Sequence, residues 1–95
     1  MTPDEELTRA NVCRMFLQDK HVKAALDEIE QAMVDNIVMC PVEKLSLQNE
    51  MVNILRAKRK FVQILEAHIE SGKMVEFQQN EQVRKKSFLD SLMSR

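Results

Sequence analysis

The strongest constraint on this chain is a long run of apolar residues at helical spacing, which begins near Pro41 and ends near Ser71. The spacing i, i+3, i+4, i+7 places these residues on one side of an α-helix. A helix of about 30 residues is about 45 Å long, which exceeds the diameter of a compact domain of this size. We therefore expect a partner to cover part of its apolar face. The stripe consists of Met51, Ile54, Leu55, Phe61, Val62, Leu65 and Ile69.

Two residues suggest where this long helix begins and ends. Pro41 suits the first helical position, because the N–H group that proline lacks would be unpaired there. Gly72 follows the last apolar turn, where a left-handed residue commonly closes a helix. The sequence therefore predicts a helix from Pro41 to Ser71 that ends at Gly72, although Gly72 could also merely bend a longer helix.

Two further helices are predicted before this one. Thr2 and Pro3 fit the N-cap and first position of a helix over residues 3–17. Asp19 is a candidate N-cap for a second helix that ends just before the next proline, although the two helices could also form one bent rod. Because almost no chain connects the second helix to the third, we expect these two to fold back as an antiparallel αα-hairpin.

The helical pattern weakens after residue 73, and a short amphipathic helix is predicted over residues 80–93. Such a helix is too short to be stable alone, so it must dock on the hairpin, dock on a neighbouring subunit or remain mobile. We expect a helical hairpin domain with its N-terminal helix over residues 1–73 and a C-terminal segment over residues 74–95. The apolar patch of this segment comprises Phe88, Leu89, Leu92 and Met93.

The composition favours an all-α fold. A single glycine and two prolines supply few of the turns that a β-rich fold needs, and good helix formers dominate the chain. The formal net charge of −1 does not by itself require nucleic acid or an anionic membrane as a partner. No apolar run has the length of a membrane span, and the acidic N-terminus lacks the pattern of a signal peptide. We expect a cytoplasmic protein with no membrane partner.

No group of residues predicts catalysis, a cofactor or a metal. One glycine cannot form a glycine-rich phosphate loop, and His21 and His68 have no carboxylate at the spacing that a metal site needs. Cys13 and Cys40 are expected to be reduced, buried thiols rather than a disulfide. We therefore expect no catalytic residue, no metal and no cofactor in a protein that is not an enzyme.

Basic residues form two clusters along the second half of the chain. At about 100° per residue, the first cluster is expected on the face opposite the apolar stripe, where it could contact phosphates. The two clusters would form one basic strip if the C-terminal segment folded back. No aromatic residue lies among them, so a solvated face is the favoured interpretation. The clusters are Arg56, Arg59 and Lys60, and Arg84, Lys85 and Lys86.

Lys58 interrupts the apolar stripe of the long helix. Pairing the two helices of the hairpin about a turn near residues 40–42 places it opposite Ala24 and Ala25. Its stem would lie over these alanines while its ammonium group reaches water, Asp27 or Glu28. A polar residue in a helical contact often fixes its register, but a wet edge of a small core is the more common explanation.

The region from Val22 to Lys73 resembles small helical-hairpin proteins encoded by tailed bacteriophages. The resemblance lies in a helix, a turn marked by proline and a second long helix, whose stripe runs from Met51-Val52-Asn53-Ile54-Leu55 to Ile64-Leu65-Glu66. It implies a hairpin fold and a gene among those for phage heads and DNA packaging. It supplies no functional residue.

The sequence thus predicts a phage-type assembly protein that associates with itself through amphipathic helices. The oligomer contacts would come from the apolar stripe and from the C-terminal patch. A small DNA-binding or DNA-packaging accessory protein is one alternative, with the two basic clusters on the nucleic acid. An adaptor or inhibitor that inserts its C-terminal helix into a groove of a host protein is another.

Overall fold

The computed structural model describes residues 1–93, which form three α-helices. They are α1 (Pro3–Gln18), α2 (Lys20–Met39) and α3 (Leu45–Met93). The predicted all-α class is confirmed. The molecule measures 80 × 24 × 19 Å, because α3 has 49 residues and is about 73 Å long. Its radius of gyration is 21.7 Å, against about 12 Å for a compact domain of this length.

The break between α1 and α2 lies at Asp19, as predicted. Its backbone is extended, with φ −62° and ψ 127°, and its carboxylate accepts hydrogen bonds from the N–H groups of His21 and Val22 at 2.9 and 3.0 Å. The alternative of one continuous bent rod is therefore wrong. Thr2 caps α1 in the same manner, since its hydroxyl oxygen accepts from the N–H of Glu5 at 3.2 Å.

The predicted start of the long helix at Pro41 is wrong by four residues. Residues 41–44 form a turn, in which the N–H of Lys44 donates to the carbonyl oxygen of Pro41 at 3.0 Å, and α3 begins at Leu45. Cys40 has the extended backbone, φ −68° and ψ 132°, that a following proline favours. Pro41 therefore ends α2 and belongs to the connection between the two helices.

The predicted end of the long helix at Gly72 is also wrong. No glycine among the described residues has a positive φ, and α3 continues through Gly72 to Met93. The separate C-terminal helix predicted over residues 80–93 is therefore the last part of α3. The boundary predicted at residue 73 falls within this helix. The helix continues because the residues that follow, rich in Lys, Glu and Gln, are good helix formers.

Gly72 is needed for packing rather than for a turn. It is buried against α1, where a Cβ atom on residue 72 would overlap the Cβ of Ala10 and lie 3.8 Å from the carbonyl oxygen of Glu6. Ala10 and Cys13, each 6% exposed, are the buried hydrophobic residues of the described chain. Three small residues thus allow the backbones of α1 and α3 to approach closely, in the way that glycine permits.

The contact between α2 and α3 has a different register from the one predicted. The Nζ of Lys58 lies 3.2 Å from a carboxylate oxygen of Glu30, five residues beyond the predicted neighbour Ala25. The predicted partners Asp27 and Glu28 are therefore wrong. Residues 41–44 lie outside the helices. The connection between α2 and α3 is therefore longer than the turn at residues 40–42 that the predicted pairing assumed, and this difference shifts the register.

Replacing Gly72 by alanine tests the close contact. We expect Gly72→Ala to lower the free energy of unfolding by about 1–3 kcal/mol, because the added methyl group overpacks the contact with Ala10. Without that contact the same substitution would stabilise the helix by about 1 kcal/mol. The sign of the change in the free energy of unfolding therefore shows whether residue 72 packs closely on Ala10. Urea unfolding followed by circular dichroism measures it.

Two variants serve as controls for this experiment. Ser71→Ala, at an exposed neighbouring position, should leave the stability nearly unchanged. Ala10→Gly combined with Gly72→Ala returns the methyl group to the other helix and should recover part of the loss. A stabilised Gly72→Ala protein would contradict the close approach of α1 and α3.

Candidate protein interaction surface

The chain buries few of its own apolar side chains. Within residues 1–93 no large side chain is fully buried, and 21 large hydrophobic residues are exposed. The accessible surface is 7739 Å², whereas compact monomers of this mass have about 5,700 Å². The difference of about 2,000 Å² is comparable with the area that a specific protein interface buries.

Most of the predicted apolar stripe of α3 lies against the chain's own α1 and α2. Its half-buried members recur at intervals of four, seven, three and four residues, which is the spacing of a helix in a coiled coil. Their coverage within the chain leaves them only partly available to a partner. They are Met51, Leu55, Val62, Leu65 and Ile69.

The remaining two members of the stripe, Ile54 and Phe61, are exposed at its edge. Ile54 is 50% and Phe61 46% exposed. Leu47 lies seven residues before Ile54, so it shares this edge, and Ile64 lies close to it one turn after Phe61. Leu47, Ile54, Phe61 and Ile64, all exposed, form an apolar surface that we call the lateral strip.

Aromatic packing anchors the middle of the lateral strip. The ring of Phe61 meets the ring of Phe16 on α1 edge-on, with centroids 6.1 Å apart and planes at 83°. This is a favourable aromatic geometry. Both rings remain more than 40% exposed, so Phe61 contacts α1 and is still accessible to solvent.

The opposite edge of the contact between α2 and α3 is charged. Glu30 on α2 binds Lys58 at 3.2 Å and the Nε of Arg59 at 2.8 Å. Two hydrogen bonds hold the pKa of the Glu30 carboxyl below its ordinary value, and the one from Arg59 has a larger effect than the one from Lys58. The Lys58 side chain is only 13% exposed, so it lies within the contact while Arg59 remains at the rim.

The basic clusters are not brought together. Arg59 was predicted on the face opposite the apolar stripe, but it faces α2 and binds Glu30, so this prediction is wrong. Arg84 lies 3.5 Å from Glu81 of its own helix. Because α3 does not fold back, the clusters are about 40 Å apart along its axis. All six residues of the two clusters are exposed.

The predicted C-terminal patch is exposed on the last turns of α3. Phe88, Leu89, Leu92 and Met93 are each more than half exposed. Sequence reasoning did not include Met74 and Phe77, which are also exposed, at 61% and 62%. A heptad search continued past residue 73 would have found them, since they precede Phe88 at heptad positions.

Other features add no chemistry to these surfaces. An open groove lies where the start of α1 meets α3, lined by Met1, Pro3, Glu6 and Val75 with glutamines 78, 79 and 82. Among residues 1–93 no three histidines, cysteines or carboxylates are grouped to hold a metal. Cys13 and Cys40 are free thiols.

Comparisons with known proteins give no relative for this chain. No protein-family model, no curated protein and no solved structure matches it. In the part of the chain that the structure describes, no helix combines the length and apolarity that crossing a membrane requires.

The ion pairs of Glu30 predict a pH dependence of stability. Because the pKa of this carboxyl is lower in the folded than in the unfolded chain, its contribution is present above the unfolded pKa and is lost as the pH falls through the folded pKa. We expect Glu30→Gln to be less stable than the wild type at pH 7 and this difference to be smaller near pH 3, below the ordinary pKa of the carboxyl. Urea unfolding at both pH values measures this.

Glu28→Gln, at an exposed position of α2, is the matched control and should change the stability little at either pH. If Glu30→Gln left the pH dependence of unfolding as it is in the wild type, the ion pairs with Lys58 and Arg59 would not stabilise the contact between α2 and α3.

Proposed function

We propose that this chain is a non-enzymatic assembly protein that associates with copies of itself through exposed apolar helix surfaces. The observation that supports the proposal is the imbalance between core and surface. Residues 1–93 bury only small apolar residues while 21 large ones remain exposed, and exposed apolar surfaces of this extent mark interaction sites.

The assembling unit is an antiparallel hairpin of α2 and α3, with α1 continuing along α3. Two observations support this part of the proposal. The turn at residues 41–44 connects the helices, and Glu30 of α2 binds Lys58 and Arg59 of α3. A hairpin of this kind places the lateral strip along one edge and the Glu30 ion pairs along the other.

The lateral strip gives the hairpin a self-complementary contact. Two copies that bring their strips together complete the coverage of Leu47, Ile54, Phe61 and Ile64, as in a four-helix bundle. Each half-exposed side chain contributes on the order of 1 kcal/mol when covered. Association itself costs at least about 4 kcal/mol, so the strip supports moderate affinity, and additional surface raises it.

The biological setting proposed for this assembly is a phage particle. The basis is the resemblance of residues 22–73 to small phage helical proteins. The DNA-binding alternative is less favoured, because Arg59 and Arg84 are engaged by Glu30 and Glu81 and the clusters are far apart. It predicts salt-dependent DNA binding by the wild type. The adaptor alternative predicts loss of partner capture when residues 74–95 are removed.

Polar substitutions on the lateral strip test the proposal. We expect Leu47→Gln combined with Ile54→Gln to weaken self-association at least tenfold, because apolar surface is no longer removed from water. Helicity should be unchanged, since glutamine is a good helix former and both positions are exposed. Sedimentation equilibrium measures the association constant.

Val38→Gln combined with Met39→Gln is the matched control, because these residues are exposed apolar positions at the end of α2 outside the lateral strip. This control should associate as the wild type does. Equal association by the strip variant and the wild type would contradict a role for the lateral strip.

A further inference from the structure

A second heptad pattern runs along the C-terminal half of α3, on a side that the chain does not cover. Met74, Phe77, Glu81, Arg84 and Phe88 follow one another at alternating steps of three and four residues, which is the a/d spacing of a coiled coil. We call these five residues the C-terminal seam. Its two phenylalanines are 62% and 65% exposed.

The start of α1 does not cover the C-terminal seam. It meets α3 at Val75, Gln78, Gln79 and Gln82, and at about 100° per residue the middle of the seam lies about 130° around the helix from these four residues. Met74 and Glu81 border Gln78, and Glu81 is half-buried. The seam is a stripe about 20 Å long whose apolar members are exposed, while Glu81 and Arg84 lie 3.5 Å apart within the same helix. Its order from end to end is apolar, apolar, acidic, basic, apolar.

We propose that the C-terminal seam binds the same seam of a second copy of this chain in an antiparallel, two-fold symmetric contact. In this register Phe77 lies opposite Phe88 of the second copy, and Glu81 lies opposite Arg84 of the second copy. Glu81 and Phe88 occupy a positions of the heptad, and Phe77 and Arg84 occupy d positions. Each pair therefore places an a residue of one copy opposite a d residue of the other, as antiparallel coiled coils do. The inference rests on the proposed self-association and names a second surface for it.

Charge selects the antiparallel arrangement. A parallel, in-register pair would place Glu81 against Glu81 and Arg84 against Arg84, so that like charges meet twice. The antiparallel pair places opposite charges together twice and stacks each phenylalanine on another. Charged pairs of this kind are worth little as isolated surface ion pairs, but they discriminate strongly against the arrangement in which like charges meet.

The area of the contact fits a second copy as occupant. Phenylalanine side chains bury roughly 150–250 Å² when fully covered, and about two thirds of each is exposed here. With Met74 and the neighbouring Leu92, complete coverage of these side chains in both copies would bury on the order of 1,000 Å², the lower limit for a specific interface. A two-fold contact uses the same patch of both copies, so the lateral strip stays free for another copy.

Mixed disulfide cross-linking tests the register. Phe77→Cys and Phe88→Cys are prepared as separate proteins, each with Cys40→Ala, and are oxidised alone and mixed. We expect a covalent heterodimer only in the mixture, because each new thiol faces the other type of chain. Positions 77 and 88 are about 16 Å apart along α3, beyond the reach of a disulfide, so neither protein should cross-link alone.

Charge reversal supplies a second test that needs no phenylalanine substitution. Arg84→Glu should lower the association constant severalfold, and Glu81→Arg combined with Arg84→Glu should restore it. Lys60→Glu, the same change of charge at an exposed position outside the seam, should have no such effect. Sedimentation equilibrium measures all four proteins.

The outcomes separate this inference from the broader proposal. A wild-type multimer with no cross-link in the mixture, or with cross-links in each variant alone, overturns the antiparallel seam and leaves self-association in place. A wild-type monomer at high micromolar concentration overturns both. A heterodimer confined to the mixture, with rescue by the double charge reversal, supports the inference.

Discussion

The structure depends on the close approach of α1 to α3 through three small residues. Ala10 and Cys13 on α1 and Gly72 on α3 are the most buried residues of the described chain, and a Cβ on residue 72 would leave no room for Ala10. This contact fixes where α1 lies along the long helix. It removes little apolar area from water, because the hydrophobic contribution grows with the area buried and these side chains are small.

The larger apolar side chains lie at the edges of the helix contacts as a consequence. α3 extends about 73 Å, and the two shorter helices cover one side of it. Ile54 and Phe61 are left at the rim, while Glu30 and its two basic partners occupy the other edge. The two edges of this contact therefore differ, one apolar and one charged, and the continuous α3 carries further apolar residues beyond α1.

The all-α class, the break at Asp19 and the apolar face of α3 could be predicted from the sequence. Each is a local signal, either a cap or a helical period. The roles of Pro41 and Gly72 could not. Proline has the same local sequence pattern at the start of a helix and in a turn. Glycine after an apolar turn favours the end of a helix, unless a neighbouring helix packs so closely that a Cβ atom would not fit.

The candidate surface was predictable in part for the same reason. Sequence spacing identified seven residues of the α3 stripe, but only the packing of α1 and α2 separates the half-buried Leu55 and Val62 from the exposed Ile54 and Phe61. The Glu30 partner of Lys58 was missed because the register depends on the length of the turn at residues 41–44. Met74 and Phe77 were missed because the helix was expected to end before them.

If self-association covers the apolar surface that this fold leaves exposed, the protein is a multimer in solution. Light scattering on a size-exclusion column gives the absolute molar mass of the wild type, and low and high salt distinguish apolar from ionic association. A discrete multiple of 11.1 kDa at both salt concentrations is the expected result. A mass of one chain at high micromolar concentration in both conditions would contradict the account.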